Sequence, residues 1–131
     1  MVSNRLEALL LLPLYAESEN RSGSEAVPDT IQYLKRYLES NYRQKLTLDD
    51  LSAFSGLSKY HLSKLFKRYV GVSPIEYIIQ LRINAAQGLL ENTNLPANKI
   101  AAAVGIMNEN YFYRLFREYT GVTPSEYREW R

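Results

Sequence analysis

The chain has 131 residues, a formal net charge of +2 and an apolar fraction of 46%, which suits one compact domain with a modest core. It contains no cysteine and a single histidine, His61, so disulfide scaffolds, Cys/His zinc sites, thiol nucleophiles and histidine-based triads all lack parts. We therefore expect neither an enzyme nor a protein that holds a metal or a cofactor.

The first 28 residues are expected to lie outside the compact domain. Their apolar stretch, Ala8 to Ala16, is too short to span a bilayer and is interrupted by Pro13. Residues 1–16 are interpreted as the tail of a missing upstream domain for sensing and dimerisation, and the polar residues 17–28 as a flexible linker. Glu17 stands where an export signal needs small residues, so no export signal is predicted. Together with the lack of cysteine, this predicts a cytoplasmic protein.

From residue 29 onward the sequence is punctuated by helix caps and stops. In chain order these are Asp29 or Thr30, Thr47, Gly56, Ser58, Gly71 and a capping box with proline at residues 73–76. The box starts a long helix that is predicted to run to about Glu91. Because alternating β-branched runs are nearly absent, we predict an all-α fold of about seven helices. Two short helices separated by residues 56–58 form a helix-turn-helix candidate.

The same pattern occurs twice in the chain. Gly56 matches Gly105 at a spacing of 49 residues, and after a one-residue insertion near Met107 the spacing becomes 50. The pairs at the second spacing are Ser58 with Asn108, Leu65 with Leu115, Phe66 with Phe116 and Tyr69 with Tyr119, followed by GVSPIEY and GVTPSEY. The sequence thus predicts two helix-turn-helix units, at about 29–73 and 94–131 within a domain of residues 29–131, joined by a linker helix at 74–91.

The second helix of each unit, at about 58–70 and 108–120, is predicted to be amphipathic. The inward faces are Leu62, Leu65, Phe66 and Tyr69, and Phe112, Leu115, Phe116 and Tyr119. The outward faces are Tyr60, Ser63, Lys64 and Lys67, and Asn110, Tyr113, Arg114 and Arg117. Arginine and lysine donate to guanine and asparagine pairs with adenine, so these outward faces suit a major groove. Lys59 stands at the position of Glu109, which makes the first face the more cationic.

The region from about Leu46 to Arg131 resembles the DNA-binding domain of the AraC/XylS family of transcription regulators. The resemblance rests on LTLDDLSAFSGLSKYHLSKLFKRYVGVSPIEYIIQLRINAA and IAAAVGIMNENYFYRLFREYTGVTPSEYR. It implies that each unit inserts its second helix into one of two successive major grooves of double-stranded DNA. It also implies control of transcription in bacteria, often activation through contacts with RNA polymerase. By position it assigns DNA contacts to Lys59, Tyr60, Ser63, Lys64, Lys67, Glu109, Asn110, Tyr113, Arg114 and Arg117.

The chain departs from the family pattern at Ile106, where relatives usually have phenylalanine, and at Met107, where a small polar residue is common. An alternative function is a helical protein-interaction module whose outward faces bind an acidic partner. Tyr60 and Tyr113 either touch DNA or pack against neighbouring helices, and Trp130 is expected to pack in the last helix. Because both units lie in one chain, we expect DNA binding as a monomer, with any dimerisation left to the missing domain.

Overall fold

The computed structural model describes residues 27–131, which form seven α-helices and no β-strand. The helices are α1 (Asp29–Asn41), α2 (Leu48–Ser55), α3 (Lys59–Val70), α4 (Pro74–Asn92), α5 (Ala97–Ala103), α6 (Glu109–Thr120) and α7 (Pro124–Glu129). This confirms the all-α fold with two helix-turn-helix units, α2–α3 and α5–α6, joined by a long helix. The interpretations of residues 1–16 and of residues 17–26 of the linker lie outside the described residues. Across the described range, no helix has the length and apolarity needed to cross a membrane.

Local caps set the helix ends in the first unit, as predicted. The Thr47 hydroxyl accepts a hydrogen bond from the Asp50 amide at 3.1 Å, and the Asp50 carboxylate accepts one from the Thr47 amide at 2.9 Å. This reciprocal capping box starts α2. Gly56 ends α2 in the left-handed conformation, with a φ of 78°. Ser58 then accepts a hydrogen bond from the His61 amide and starts α3.

The start of α1 differs from the prediction. Pro28 is the N-cap residue, in place of Asp29 or Thr30, and it makes no side-chain capping bond. The proline ring holds φ at −58°, and the Pro28 carbonyl accepts hydrogen bonds from the Ile31 and Gln32 amides at 3.0 and 3.1 Å. The rigid backbone of the proline therefore starts the helix one or two residues before the predicted caps.

Two hydrophobic cores lie along the molecule. The first contains Ile31, Leu34, Leu38, Leu51, Leu62, Phe66, Val70, Tyr77 and Ile78. The second contains Ile83, Ala86, Leu90, Ile100, Ala101, Val104, Ile106, Phe112, Leu115, Phe116 and Tyr127. The beginning of α4 supplies residues to the first core and the remainder of α4 supplies residues to the second. The linker helix is therefore a packing element of both units.

The tyrosine of each G-V-[ST]-P-x-E-Y string closes the core of its own unit. Tyr77 meets a core phenylalanine ring edge-on at 5.6 Å between centroids, and Tyr127 does the same at 5.6 Å. The Tyr77 hydroxyl donates to the Glu39 carboxylate at 2.6 Å, and the Tyr127 hydroxyl donates to Glu91. Since Glu39 lies on α1 and Glu91 on α4, the end of α4 occupies in the second unit the place that α1 has in the first.

Four side chains pack less completely than predicted. Leu65, Tyr69 and Tyr119 are only half-buried, at the edges of their inward faces. Trp130 is 54% exposed, so the prediction that it packs in the last helix was wrong. The reason is that α7 ends at Glu129 and Trp130 is its C-cap residue. Tyr127 fills the core position instead.

Candidate nucleic-acid interface

The two predicted recognition helices, α3 and α6, each bury one face and expose the other. Leu62 and Phe66 of α3 are fully buried, as are Phe112 and Phe116 of α6. With Lys59 and Glu109 added to the four-residue sets given above, the first outward face is Lys59, Tyr60, Ser63, Lys64 and Lys67, and the second outward face is Glu109, Asn110, Tyr113, Arg114 and Arg117. All ten side chains are exposed except Ser63, which is half-buried. Both outward faces are therefore accessible to a partner as large as a DNA duplex.

The first outward face presents lysine ammonium groups beside an aromatic ring. Tyr60 is 73% exposed, and its hydroxyl accepts a hydrogen bond from Lys64 Nζ at 3.2 Å. The same Nζ lies 5.1 Å from the centre of the Tyr60 ring, so hydrogen bonding and a cation–π contact both hold the pair. The Tyr60 side chain is thus largely open to solvent and extends the polar surface of α3.

Lys59, at the beginning of α3, is paired with an acidic residue of α2. Its ammonium group lies 2.9 Å from the Asp49 carboxylate, and the two side chains are 54% and 78% exposed. An ion pair this open to solvent contributes only about 0–1 kcal/mol. A phosphate group can therefore replace Asp49 as the partner of Lys59 at little cost.

The second outward face mixes arginines with an anchored carboxylate. The Tyr113 hydroxyl donates to the Glu109 carboxylate at 2.6 Å, and this hydrogen bond is the main reason why the pKa of Tyr113 is raised. Glu109 is thus held in one orientation at the beginning of α6. The face is less cationic than the first, because it carries this carboxylate where the first carries Lys59.

Arg68 and Tyr111 lie beside the outward faces and were not among the predicted DNA contacts. The Arg68 guanidinium lies 5.4 Å from the Tyr69 ring, and the Arg114 guanidinium lies 5.1 Å from the ring of Tyr111, which is 40% exposed. Tyr111 precedes Arg114 by three residues and so lies on the neighbouring turn of α6. That spacing is the sequence signal by which the contact was predictable.

The departures from the family pattern have separate structural roles. Ile106 is 4% exposed and belongs to the second core, whereas Met107 is 79% exposed. Asn108, which follows them, accepts a hydrogen bond from the Tyr111 amide at 2.8 Å and caps α6. Within residues 27–131, no group of three histidine, cysteine or acidic side chains is arranged to hold a metal ion.

Comparison with known proteins identifies a helix-turn-helix domain family over residues 51–129. AdaA of Bacillus subtilis (strain 168), a bifunctional transcriptional activator and DNA repair enzyme, is 38% identical over 91 residues, which are 68% of this chain and 43% of that protein. The chain spans less than half the length of the curated relatives that it matches first.

Solved structures show the same fold. The C-terminal domain of AraT, a response regulator from Geobacillus stearothermophilus, is 30% identical with a TM-score of 0.77, over 82% of this chain and 89% of that one. A transcriptional regulator from Chromobacterium violaceum, described by its AraC-type DNA-binding domain, is 31% identical with a TM-score of 0.69, over 76% of this chain and 89% of that one. These likenesses cover the two helix-turn-helix units together with the helix that joins them.

Proposed function

Because the chain belongs to the AraC-type helix-turn-helix family, we propose that it binds double-stranded DNA sequence-specifically and regulates transcription. In this proposal α3 and α6 lie in two successive major grooves on one side of the duplex. The observation that carries the proposal is the repetition of one exposed polar face on the equivalent helix of both units. A solvated helix face needs no such repetition, whereas two DNA-reading units do.

The length of the joining helix supports two adjacent grooves. Helix α4 has 19 residues, which corresponds to about 28 Å at 1.5 Å per residue. Successive major grooves on one side of B-DNA are separated by about 34 Å. The two lengths are of the same scale, given that each recognition helix also projects from its own unit. One chain therefore suffices to contact both grooves.

The two outward faces are proposed to read different bases. On the first, Lys64 and Lys67 contact phosphates and guanine edges, with Lys59 released from Asp49 to a phosphate. On the second, Arg114 and Arg117 donate to guanine and Asn110 pairs with adenine. Tyr60 and Ser63 add hydroxyl groups that reach bases or phosphates, and Tyr113 acts at the DNA through the carboxylate of Glu109, to which its hydroxyl donates. Because the faces differ chemically, the site is expected to be asymmetric.

Glu109 is proposed to accept a hydrogen bond from the amino group of a cytosine, since a carboxylate on a recognition helix suits that donor and repels phosphates. Tyr113 orients it, so Tyr113→Phe is expected to weaken the preference for one base pair and leave the remaining positions unchanged. The matched control is Tyr111→Phe, which keeps an aromatic ring under Arg114. Selected sites that are identical for wild type and Tyr113→Phe would remove this role.

The remaining parts of the functional proposal concern partners and compartment. The chain acts on the bacterial chromosome in the cytoplasm, without catalysis, and activates transcription through contacts with RNA polymerase. The name of AdaA includes transcriptional activation, which supports this direction. The name of AdaA also includes DNA repair, and that activity is not part of the proposal for this chain. Binding occurs as one protomer per site, because both reading helices belong to the same chain.

The test is selection of bound duplexes from a random library, followed by binding and sedimentation measurements on the selected site. We expect one asymmetric motif, a one-to-one complex, and an affinity that falls linearly on a log-log plot against salt concentration. Arg36→Ala is the charge-matched control, because Arg36 is exposed on α1, outside both outward faces. Binding to duplexes of every sequence alike, or preferential binding to acidic proteins, would favour the protein-interaction alternative. A two-to-one complex on a palindrome would contradict the monomeric mode.

A further inference from the structure

The turn between α1 and α2 of the first unit is held by the linker helix. Arg82 of α4 is half-buried, and its Nε donates to the Tyr42 carbonyl oxygen at 2.7 Å. The second bond from Arg82, donated by Nη2, reaches the Gln44 carbonyl oxygen at 2.9 Å. Two parallel bonds from one rigid guanidinium fix both position and orientation of this turn.

The same turn also lies against the second unit. A β-carbon at Gly105 would lie 2.7 Å from the carbonyl oxygen of Arg43, the residue between the two Arg82 acceptors. Backbone therefore meets backbone between the units, with no room for a side chain. At Gly56, the equivalent glycine of the first unit, a β-carbon would meet nothing within 4 Å. The close approach is thus a property of the contact between units, and the turn type does not require it.

The recognition helix of the second unit lies near the same contact. Burial lowers the pKa of Arg82, and Tyr111 of α6 is close enough to oppose that shift electrostatically. Tyr111 also carries Arg114 of the second outward face over its ring. The first-unit turn is therefore bonded to α4 through Arg82 and lies against the second unit at Gly105.

We propose that Arg82 and Gly105 are positioning residues that fix the two recognition helices in one mutual orientation, so that the chain reads the spacing between its half-sites as strictly as their base sequence. The inference rests on the proposed DNA-binding function. Each inserted base pair moves one half-site by about 3.4 Å and rotates it by about 34–36°. A chain with rigidly joined units then loses the base contacts of one unit, whereas loosely joined units follow the displaced half-site.

The DNA test measures the affinity for the selected site and for three versions of it, in which the segment between the half-sites is one base pair shorter, one longer or two longer. For wild type we expect a loss of at least about tenfold at each altered spacing. Gly105→Ala is expected to reduce that penalty to about threefold or less. The control is Gly121→Ala in the same unit, because Gly121 has a similar positive φ, 86° against 97° at Gly105, but a β-carbon there would meet nothing within 4 Å. It should keep the wild-type spacing penalty.

Arg82 variants test the same inference without backbone strain. Arg82→Ala should reduce the loss of affinity at every altered spacing, which flattens the plot of affinity against spacing. Arg82→Lys keeps the charge and a single bond to one carbonyl group, so it should give an intermediate plot. These variants also serve if Gly105→Ala is unfolded at the assay temperature, as judged by its melting curve. A wild-type spacing penalty in Arg82→Ala, or an equally flattened profile in Gly121→Ala, would overturn the inference.

A measurement without DNA separates this inference from the proposed function. Because the chain has no cysteine, spin labels attach only at Ser40→Cys on α1 and Ser125→Cys on α7, both at exposed positions outside the outward faces. Pulsed electron paramagnetic resonance should give a narrow distribution of label-to-label distances for the doubly labelled chain, which is the parent. It should give a broad distribution when Arg82→Ala is added. If the chain bound no specific duplex, the narrow distribution would still establish the rigid coupling. A broad distribution in the parent would refute that coupling even if DNA binding were confirmed.

Discussion

Removing the equivalent core phenylalanine from each unit tests how the recognition helices are held. Phe66 and Phe116 are both completely buried, one in each core. Phe66→Ala and Phe116→Ala are expected to destabilise the fold, since each deletes an aromatic ring at the centre of a packed unit. Neither side chain belongs to an outward face, so any loss of DNA binding in these variants should follow from unfolding.

The structure places the cost near the top of the usual range of about 3–5 kcal/mol for a buried Phe→Ala substitution. Each ring meets its tyrosine edge-on at 5.6 Å, a contact that adds about 0.5–1.5 kcal/mol beyond area burial. Each tyrosine is also tied to a glutamate through its hydroxyl, so its ring is hindered from moving into the cavity. We therefore expect a loss of about 4–5 kcal/mol, a large part of the stability of about 5–15 kcal/mol typical of one domain.

The assay is urea and thermal unfolding followed by circular dichroism, with amide hydrogen exchange to locate the effect. A loss of about 4 kcal/mol corresponds to a fall in melting temperature of at least about 15 °C for a domain of this size. Because the cores are separate, Phe66→Ala should reduce protection most in α1, α2 and α3, and Phe116→Ala most in α5, α6 and α7.

Phe54→Ala is the matched control. This ring is 40% exposed and stacks on Tyr37 and Tyr33 at centroid distances of 4.2 and 5.3 Å. At about 0.5–1.5 kcal/mol for each of the two ring pairs, its removal should cost about 1–3 kcal/mol. Wild-type unfolding midpoints in Phe66→Ala and Phe116→Ala would show that the inward faces were assigned incorrectly. A cost for Phe54→Ala equal to that of Phe66→Ala would show that burial does not set the magnitude.

Two further predictions concern the outward faces and the response to acid. Lys64→Ala and Arg114→Ala should each weaken binding at the selected site by about 1–3 kcal/mol without lowering the melting temperature; unchanged affinity in both, measured beside Arg36→Ala, would argue against DNA reading by these faces. Hydrogen bonds from the Thr47 amide and hydroxyl groups lower the pKa of Asp50. Its stabilising contribution is therefore complete above about pH 4 and lost as the pH falls through the lowered pKa. Asp50→Asn should flatten acid unfolding in that range, and an unchanged acid profile would contradict the role of the capping box.

Features that depend on neighbours three or four residues apart were predictable from the order of the amino acids. Thr47 with Asp50, Ser58 and Gly56 define helix ends through local hydrogen bonds and backbone conformation, so the ends were predictable. The period of the apolar residues likewise separated the buried face of α3 and α6 from the exposed face. The repeat then predicted two units, because the same local rules recur at a nearly constant spacing.

The way in which the two units meet was not predictable from local sequence patterns. Arg82 reaches carbonyl groups 38 and 40 residues away in the sequence, and no local periodicity specifies such a pair. Gly105 shares its positive φ with Gly56, yet only Gly105 lies against a carbonyl group of the other unit. Trp130 has a large apolar side chain of the kind that fills cores, but it lies beyond the last helix. Contacts between distant segments depend on the complete packing of the chain, and they set the orientation of the two outward faces.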